Sequence, residues 1–305
     1  MKRFFILASA AIVALASCAK TEVVYKDAPE EIAFKQITNV MTKAVDEWDT
    51  ASDVMGLYAY EAGTTTGHLE NAQFKKDGSS FVGWDGDEHK PYYWPLGKNL
   101  DFVVYAPFSS TAAGYDPSTK VLTYTVDNTG ADQIDVHYGA EMLDDTPKSP
   151  EACPVTMKHA LAWIQVNIKA DQADVLKVNT FNLTGIVKTA KMNVNYTDAA
   201  QPVLSWTNKG EASNLSLLSG PIGTSYTTVN YLILPAATQT SFDMSYDLGS
   251  NTGKTWSENL DDASAWEAGC MYVYNIEVGA SEIKIAPTVK PWDETFGSID
   301  YNVEQ

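Results

Sequence analysis

Val54-Met55-Gly56-Leu57-Tyr58-Ala59-Tyr60 decides the fold class: Val54, Gly56, Tyr58 and Tyr60 fall on one face of an extended chain, and Met55, Leu57 and Ala59 on the other. Side chains of a strand alternate with a period of two, so this stretch fits a pleated sheet and not a helix stripe. Outward from it the same period returns at Leu100 to Tyr105, Val121 to Val126, Trp163 to Ile168, Met192 to Tyr196, Tyr231 to Leu234, Phe242 to Leu248 and Tyr272 to Val278. Turn clusters separate these runs: Asp77-Gly78-Ser79-Ser80, Asp127-Asn128-Thr129-Gly130 and Gly249-Ser250-Asn251-Thr252-Gly253. Little of the chain carries helical spacing. Many short strands at such intervals predict an all-β protein of β-sandwich domains, not a parallel α/β sheet.

Asp144-Asp145-Thr146-Pro147-Lys148-Ser149-Pro150-Glu151 interrupts the alternation with charge and proline. A domain boundary is expected there, giving an N-terminal domain over 44–150 and a C-terminal domain over 151–305. The length suits two domains that each bury a core.

The first residues have a different logic. Lys2 and Arg3 precede an apolar run from Phe4 to Ala16 that closes on Leu15-Ala16-Ser17-Cys18. A spanning helix needs ~20 apolar residues, and this run is shorter. Basic start, apolar middle and small residues before a cysteine are the pattern of a lipoprotein signal over 1–17. Cys18 would then carry the lipid and begin the mature chain, with residues 18–43 as an N-terminal tether. Everything after Cys18 would lie outside the cytoplasm. Lys20 and Glu22 weakly resemble surface-export signals of Bacteroidetes-type lipoproteins.

The net charge of −18 over 305 residues argues against nucleic-acid binding and for a solvated surface. Besides Cys18, only Cys153 and Cys270 are present. They are compatible with a disulfide in an oxidising compartment or with two buried thiols.

Further stretches carry a family likeness: Ile32-Ala33-Phe34 leading to Thr42-Lys43-Ala44; Tyr92-Tyr93-Trp94-Pro95, then Leu100-Asp101-Phe102 and Tyr105-Ala106-Pro107; His159-Ala160-Leu161-Ala162; Leu234-Pro235; Trp266-Glu267-Ala268-Gly269 before Tyr272-Val273-Tyr274-Asn275-Ile276; and Val289 with Trp292. In this order, behind a lipobox, they resemble the fimbrillin family, the lipoprotein-derived type V pilins of Bacteroidetes-type bacteria. The resemblance implies two transthyretin-like or immunoglobulin-like β-sandwich domains and a surface pilus subunit serving cell adhesion, anchored in the outer membrane through lipid at least as a precursor. It also implies that a trypsin-like protease removes the N-terminal strand and that a strand from another fimbrial subunit fills the vacated groove. The matching bond here is Lys43/Ala44, where many relatives carry arginine.

The residues themselves fit that scheme. Ile32 and Phe34 share one face of a short half-buried strand, the segment that would be displaced. At the far end Ile299, Tyr301 and Val303 share one face, with Asp300, Asn302 and Glu304 on the other. This last segment is either a donor strand or an ordinary terminal strand of its own sheet.

Local motifs for chemistry are missing. His68, His89, His137 and His159 form no His-x-x-x-His pair and no Cys/His ligand spacing, so no metal site is indicated and no cofactor is expected. A structural hydrogen bond is expected of His159. The run from Gly249 to Thr255 has too few residues between its glycines for a phosphate-binding loop and is expected to be a hairpin turn. Asp85-Gly86-Asp87-Glu88 and Asp261-Asp262 are expected to be solvated loop charges rather than calcium ligands. No Gly-x-Ser-x-Gly elbow occurs and no carboxylate pair stands out, so no catalytic residue is assigned. Most aromatics sit at alternating strand positions and are expected in the core. Trp84, in the turn-like Gly83-Trp84-Asp85, is the candidate for an exposed ring that stacks on a sugar. A non-enzymatic pilus subunit is therefore the expectation. A permanently anchored glycan-binding lipoprotein and a surface hydrolase are the rival readings.

Overall fold

A computed structural model describes residues 30–35, 54–78, 80–129, 133–142, 153–172, 175–235, 240–260 and 266–292. Cys18, Lys43, Ala44, Ile299, Tyr301 and Val303 lie outside the described residues, as does Asp261-Asp262.

The described residues form strands joined by turns and irregular stretches, without an α-helix. In chain order they are β1 (Phe34–Lys35), β2 (Val54–Glu61), β3 (Gly67–Asp77), β4 (Ser80–Asp85), β5 (Glu88–His89), β6 (Leu100–Ala106), β7 (Ala113–Asp116), β8 (Val121–Asp127), β9 (His137–Met142), β10 (Cys153–Pro154) and β11 (Met157–His159). They continue as β12 (Ala162–Ala170), β13 (Leu176–Val187), β14 (Thr189–Asn195), β15 (Val203–Thr207), β16 (Ala212–Ile222), β17 (Thr227–Ile233), β18 (Ser241–Leu248), β19 (Asn251–Asn259), β20 (Cys270–Val278) and β21 (Ile283–Pro291). The all-β expectation holds for the described residues, and each alternating run singled out between Val54 and Val278 overlaps a strand.

The largest sheet runs β10-β1-β4-β3-β2-β6-β9-β11, with β5 paired to β4. Its first and last strands are separated in the chain only by Val155 and Thr156. Three Cα steps reach at most ~11 Å, whereas a flat sheet of eight strands is roughly 34 Å wide. The sheet therefore curls round until its ends meet. Its inner face encloses Met55, Leu57, Phe74, Phe81, Phe102, Val104 and Met157, together with Ile32 and Phe34 from the N-terminal segment.

On the outer face of the same strands, Tyr58, Tyr60, Val103 and Tyr105 pack against Leu122, Tyr124, Met192 and Val194 of a second sheet, β15-β14-β8-β7. Strands β2 and β6 are thus buried on both faces, which explains their nearly continuous apolar sequence. A third core lies between the sheets β17-β12-β20-β21 and β16-β13-β18-β19. In β18 the alternation is plain: Phe242, Met244, Tyr246 and Leu248 point inward, and the residues between them are half-exposed. Trp163, Leu232, Met271 and Val273, on the other face of that sandwich, reach the middle core and join the two halves.

Pairing crosses the stretch expected as a boundary. Cys153 of β10 is registered on Phe34 of β1, β11 pairs with β9, and β14 pairs with β8.

The turns follow glycine. Gly78, at φ +60°, connects β3 to β4, and Gly249, at φ +59°, connects β18 to β19, where Leu248 pairs with Asn251. The run from Gly249 is accordingly a hairpin. Trp84 stands not in a turn but near the end of β4, registered on Gln73 and His89. The chain reverses one step later, between Asp85 and Glu88, with Gly86 at φ +63°.

Candidate functional site

The N-terminal segment 30–35 lies inside the curled sheet, not along its rim. On one side Phe34 and Lys35 pair antiparallel with Phe81 and Ser80; on the other they pair parallel with Cys153 and Pro154. The Ile32 amide donates to Tyr92 O at 2.7 Å, the Trp94 amide to Glu30 O at 2.9 Å, and the Cys153 amide to Ala33 O at 2.8 Å. At the surface, the Glu31 carboxylate meets the His89 ring at 2.7 Å.

The apolar face of the segment is fully enclosed. Ile32 is 0% and Phe34 1% exposed. The Phe34 ring stands edge-on to Phe102 at 5.0 Å and to Phe74 at 5.5 Å between centroids, and Phe102 stands edge-on to Trp94 in the same core. A two-residue strand has little intrinsic stability. What holds it is the pair of apolar side chains, each contributing ~1.5–3 kcal/mol on burial, together with backbone hydrogen bonds to both neighbours. Without the segment, β4 and β10 would each present an unpaired edge to a slot lined by aromatic rings. That is the geometry in which an extended peptide adds to a sheet.

A second cluster lies at the other end of the curled sheet. The register of β9 and β11 sets His137 opposite His159. Their rings are 4.6 Å apart. The buried Asp135 carboxylate approaches both, with Oδ2 3.1 Å from His137 Nε2 and 2.7 Å from His159 Nδ1. Trp292 stacks on His159 at 3.7 Å, and its amide donates to Gly269 O at 2.8 Å. Burial disfavours ionisation of Asp135, yet the charge of the two imidazoles beside it and the hydrogen bond to His159 hold its carboxyl well below the usual range. Burial draws His159 below its ordinary value against the pull of Asp135. Asp135 and His137 stand two residues apart in the sequence, whereas His159 is distant and only the β9–β11 register brings it to them. The hydrogen bond expected of His159 is present, and its acceptor is Asp135.

The other sequence candidates are dispersed. The Trp84 ring is half-buried, with Lys75 Nζ 4.8 Å from its centroid, on the part of β4 that lies beyond Phe81. Cys153 and Cys270 are both free thiols. Cys153 belongs to the core around Phe34, and Cys270 packs on the C-terminal sandwich. Asp85 of the first acidic stretch pairs with Lys90 at 2.8 Å, and both groups are largely exposed.

The model of one protein family, described as fimbrillin-like, matches residues 41–292. The chain belongs to the fimbrillin-like family. Several solved structures share the fold of this fimbrillin-like chain. A Bacteroides uniformis protein whose name proposes a role in cell adhesion is 19% identical, with a TM-score of 0.60 over 87% of this chain and 100% of that one. A fimbrial protein from Bacteroides vulgatus is 14% identical, with a TM-score of 0.56 over 78% of this chain and 92% of its own. A Bacteroides ovatus protein, also named for a proposed role in cell adhesion, is 15% identical, with a TM-score of 0.57 over 87% and 99%. At these identities the likeness is one of fold. No curated protein matches the chain.

Proposed function

We propose that this fimbrillin-like chain is a non-enzymatic structural or accessory subunit of a surface fimbrium, exported as a lipoprotein through Cys18 and assembled by exchange of its N-terminal strand. In the precursor, Ile32 and Phe34 complete the subunit's own curled sheet while the acyl chains hold it at the outer membrane. Cleavage between Lys43 and Ala44 frees the segment from the rest of the chain. Ile299, Tyr301 and Val303 of a second subunit, alternating as Ile32 and Phe34 do, then take the slot. The assembled fimbrium serves adhesion.

The observation that carries this reading is the position of segment 30–35. It is paired on both sides, its side chains are enclosed, and yet it joins the first core through one short strand. A segment with such a place is hard to lose without replacement and easy to replace with another strand. The family match supports assembly with other fimbrial subunits.

The test is digestion of the purified chain by a lysine-specific protease under native conditions, with N-terminal sequence and particle size followed together. Cleavage confined to Lys43 and growth into detergent-resistant ladders is the expected result. Resistance at Lys43 would remove the processing step, and a cut chain that loses its peptide yet stays monomeric would remove assembly.

A further inference from the structure

Asp135, His137 and His159 bring three metal-ligating side chains to one buried point. One ligand atom from each lies within 4.8 Å of the other two. Asp135 Oδ2 is 3.1 Å from His137 Nε2 and 2.7 Å from His159 Nδ1. Bonds of ~2.0–2.2 Å in a tetrahedral zinc shell place neighbouring ligand atoms roughly 3.3 Å apart. The Asp135–His137 separation is close to that spacing, and the shorter Asp135–His159 contact is a hydrogen bond whose place, with release of its proton, the ion would take.

An independent observation concerns hydrogen bonding. His137 is only 4% exposed, yet neither ring nitrogen has a hydrogen-bond partner, and Asp135 Oδ1 has none either. His137 Nε2 is near Asp135 Oδ2 but does not form a hydrogen bond with it. Buried polar atoms nearly always find a partner, and an orphaned His137 Nε2 facing the Asp135 carboxylate points to a missing ligand. Two imidazoles with one carboxylate suit zinc and its first-row neighbours; calcium and magnesium prefer oxygen alone.

We infer that Asp135, His137 and His159 form a structural binding site for a zinc-class divalent cation, bound through Asp135 Oδ2, His137 Nε2 and His159 Nδ1, with an added ligand completing the shell. The ion clamps β9 to β11. Through the Trp292 ring on His159 it also steadies the end of β21, which the Trp292 amide ties to Gly269 at the start of β20.

The experiment is titration of the chelator-stripped chain with Co²⁺, followed by visible absorption, and then displacement with Zn²⁺. One equivalent should bind. Asp135→Asn and His159→Gln should each weaken binding by at least tenfold, and His68→Gln with His89→Gln should leave it unchanged. Because the buried variants can fail to fold, the imidazole resonances of the wild-type chain provide a second readout. Addition of Zn²⁺ should move those of His137 and His159 and leave those of the half-buried His68 and the exposed His89 in place. Absence of stoichiometric binding, binding that survives both buried substitutions, or shifts confined to His68 and His89 would overturn the inference.

Discussion

Replacing Phe34 by alanine tests how firmly the N-terminal strand is held. The ring is enclosed and meets Phe102 and Phe74 edge-on. Transfer of such a side chain from water contributes ~1.5–3 kcal/mol, and each aromatic pair adds ~0.5–1.5 kcal/mol. The cavity left behind brings the expected loss to ~3–5 kcal/mol. At about 1.4 kcal/mol per factor of ten, this corresponds to roughly 10²- to 4 × 10³-fold weaker retention of the segment once the chain is cut beyond it. The assay is release of the N-terminal peptide from natively cut protein, followed by gel filtration. Phe181→Ala removes an equally buried ring from the C-terminal sandwich and serves as the comparison. It should lower overall stability without hastening release. Equal release from wild type and Phe34→Ala, or equal release from both variants, would refute the assignment of the holding energy to the Phe34 pocket.

Gly56→Ala should cost ~1–3 kcal/mol or more in urea unfolding, because its Cβ would overlap the Tyr105 ring, itself fixed by hydrogen bonds to Asn71 and to Ser109 O; an unchanged midpoint would contradict the close approach of β2 to Tyr105. Burial raises Tyr58, Tyr115, Tyr124 and Tyr274 from 10.0 to about 12. The folded state then holds protons that the unfolded state has released. Their contribution to stability is complete below pH 10 and is lost as pH rises toward 12. Near-ultraviolet absorbance should show the exposed tyrosines ionising first and these four only with cooperative unfolding. A single step near pH 10 with the fold intact would contradict this.

The strands that were legible in the sequence are those with one apolar face or two, such as β6, β12, β18 and β20. Others gave weaker signals for physical reasons. Strand β19 is exposed or half-exposed along its length and reads as a polar stretch with a single Trp256. Strand β21 is a sheet edge, where Pro287 and Pro291 are tolerated because an edge strand has no second neighbour to serve. In the sequence, Gly83 and Asp85 on either side of Trp84 read as a turn. Gly83 sits in β4 instead, where a Cβ would collide with Lys90 O and the Tyr92 ring.

At the candidate site, Ile32 and Phe34 were recognisable from alternation alone. Their place between β4 and β10 was not, since it depends on a parallel pairing to Cys153 far along the chain. The Asp135 cluster was invisible for the same reason. Metal-ligand motifs are read from local spacing, and here the β9–β11 register supplies the juxtaposition.

The exchange of strands is tested most directly through Cys153, which is registered on Phe34 and faces the same core. Neighbouring strands place paired Cα atoms within the ~4.4–6.8 Å that a disulfide spans. A residue taking the place of Phe34 would therefore be within reach of this thiol. In a Cys270→Ala background, Ile299→Cys, Tyr301→Cys and Val303→Cys subunits would be cut, allowed to assemble and oxidised. The account predicts that at least one gives a covalent ladder on a non-reducing gel, abolished by Cys153→Ala. Assembly without a ladder from any of the three, or a ladder that survives Cys153→Ala, would contradict it.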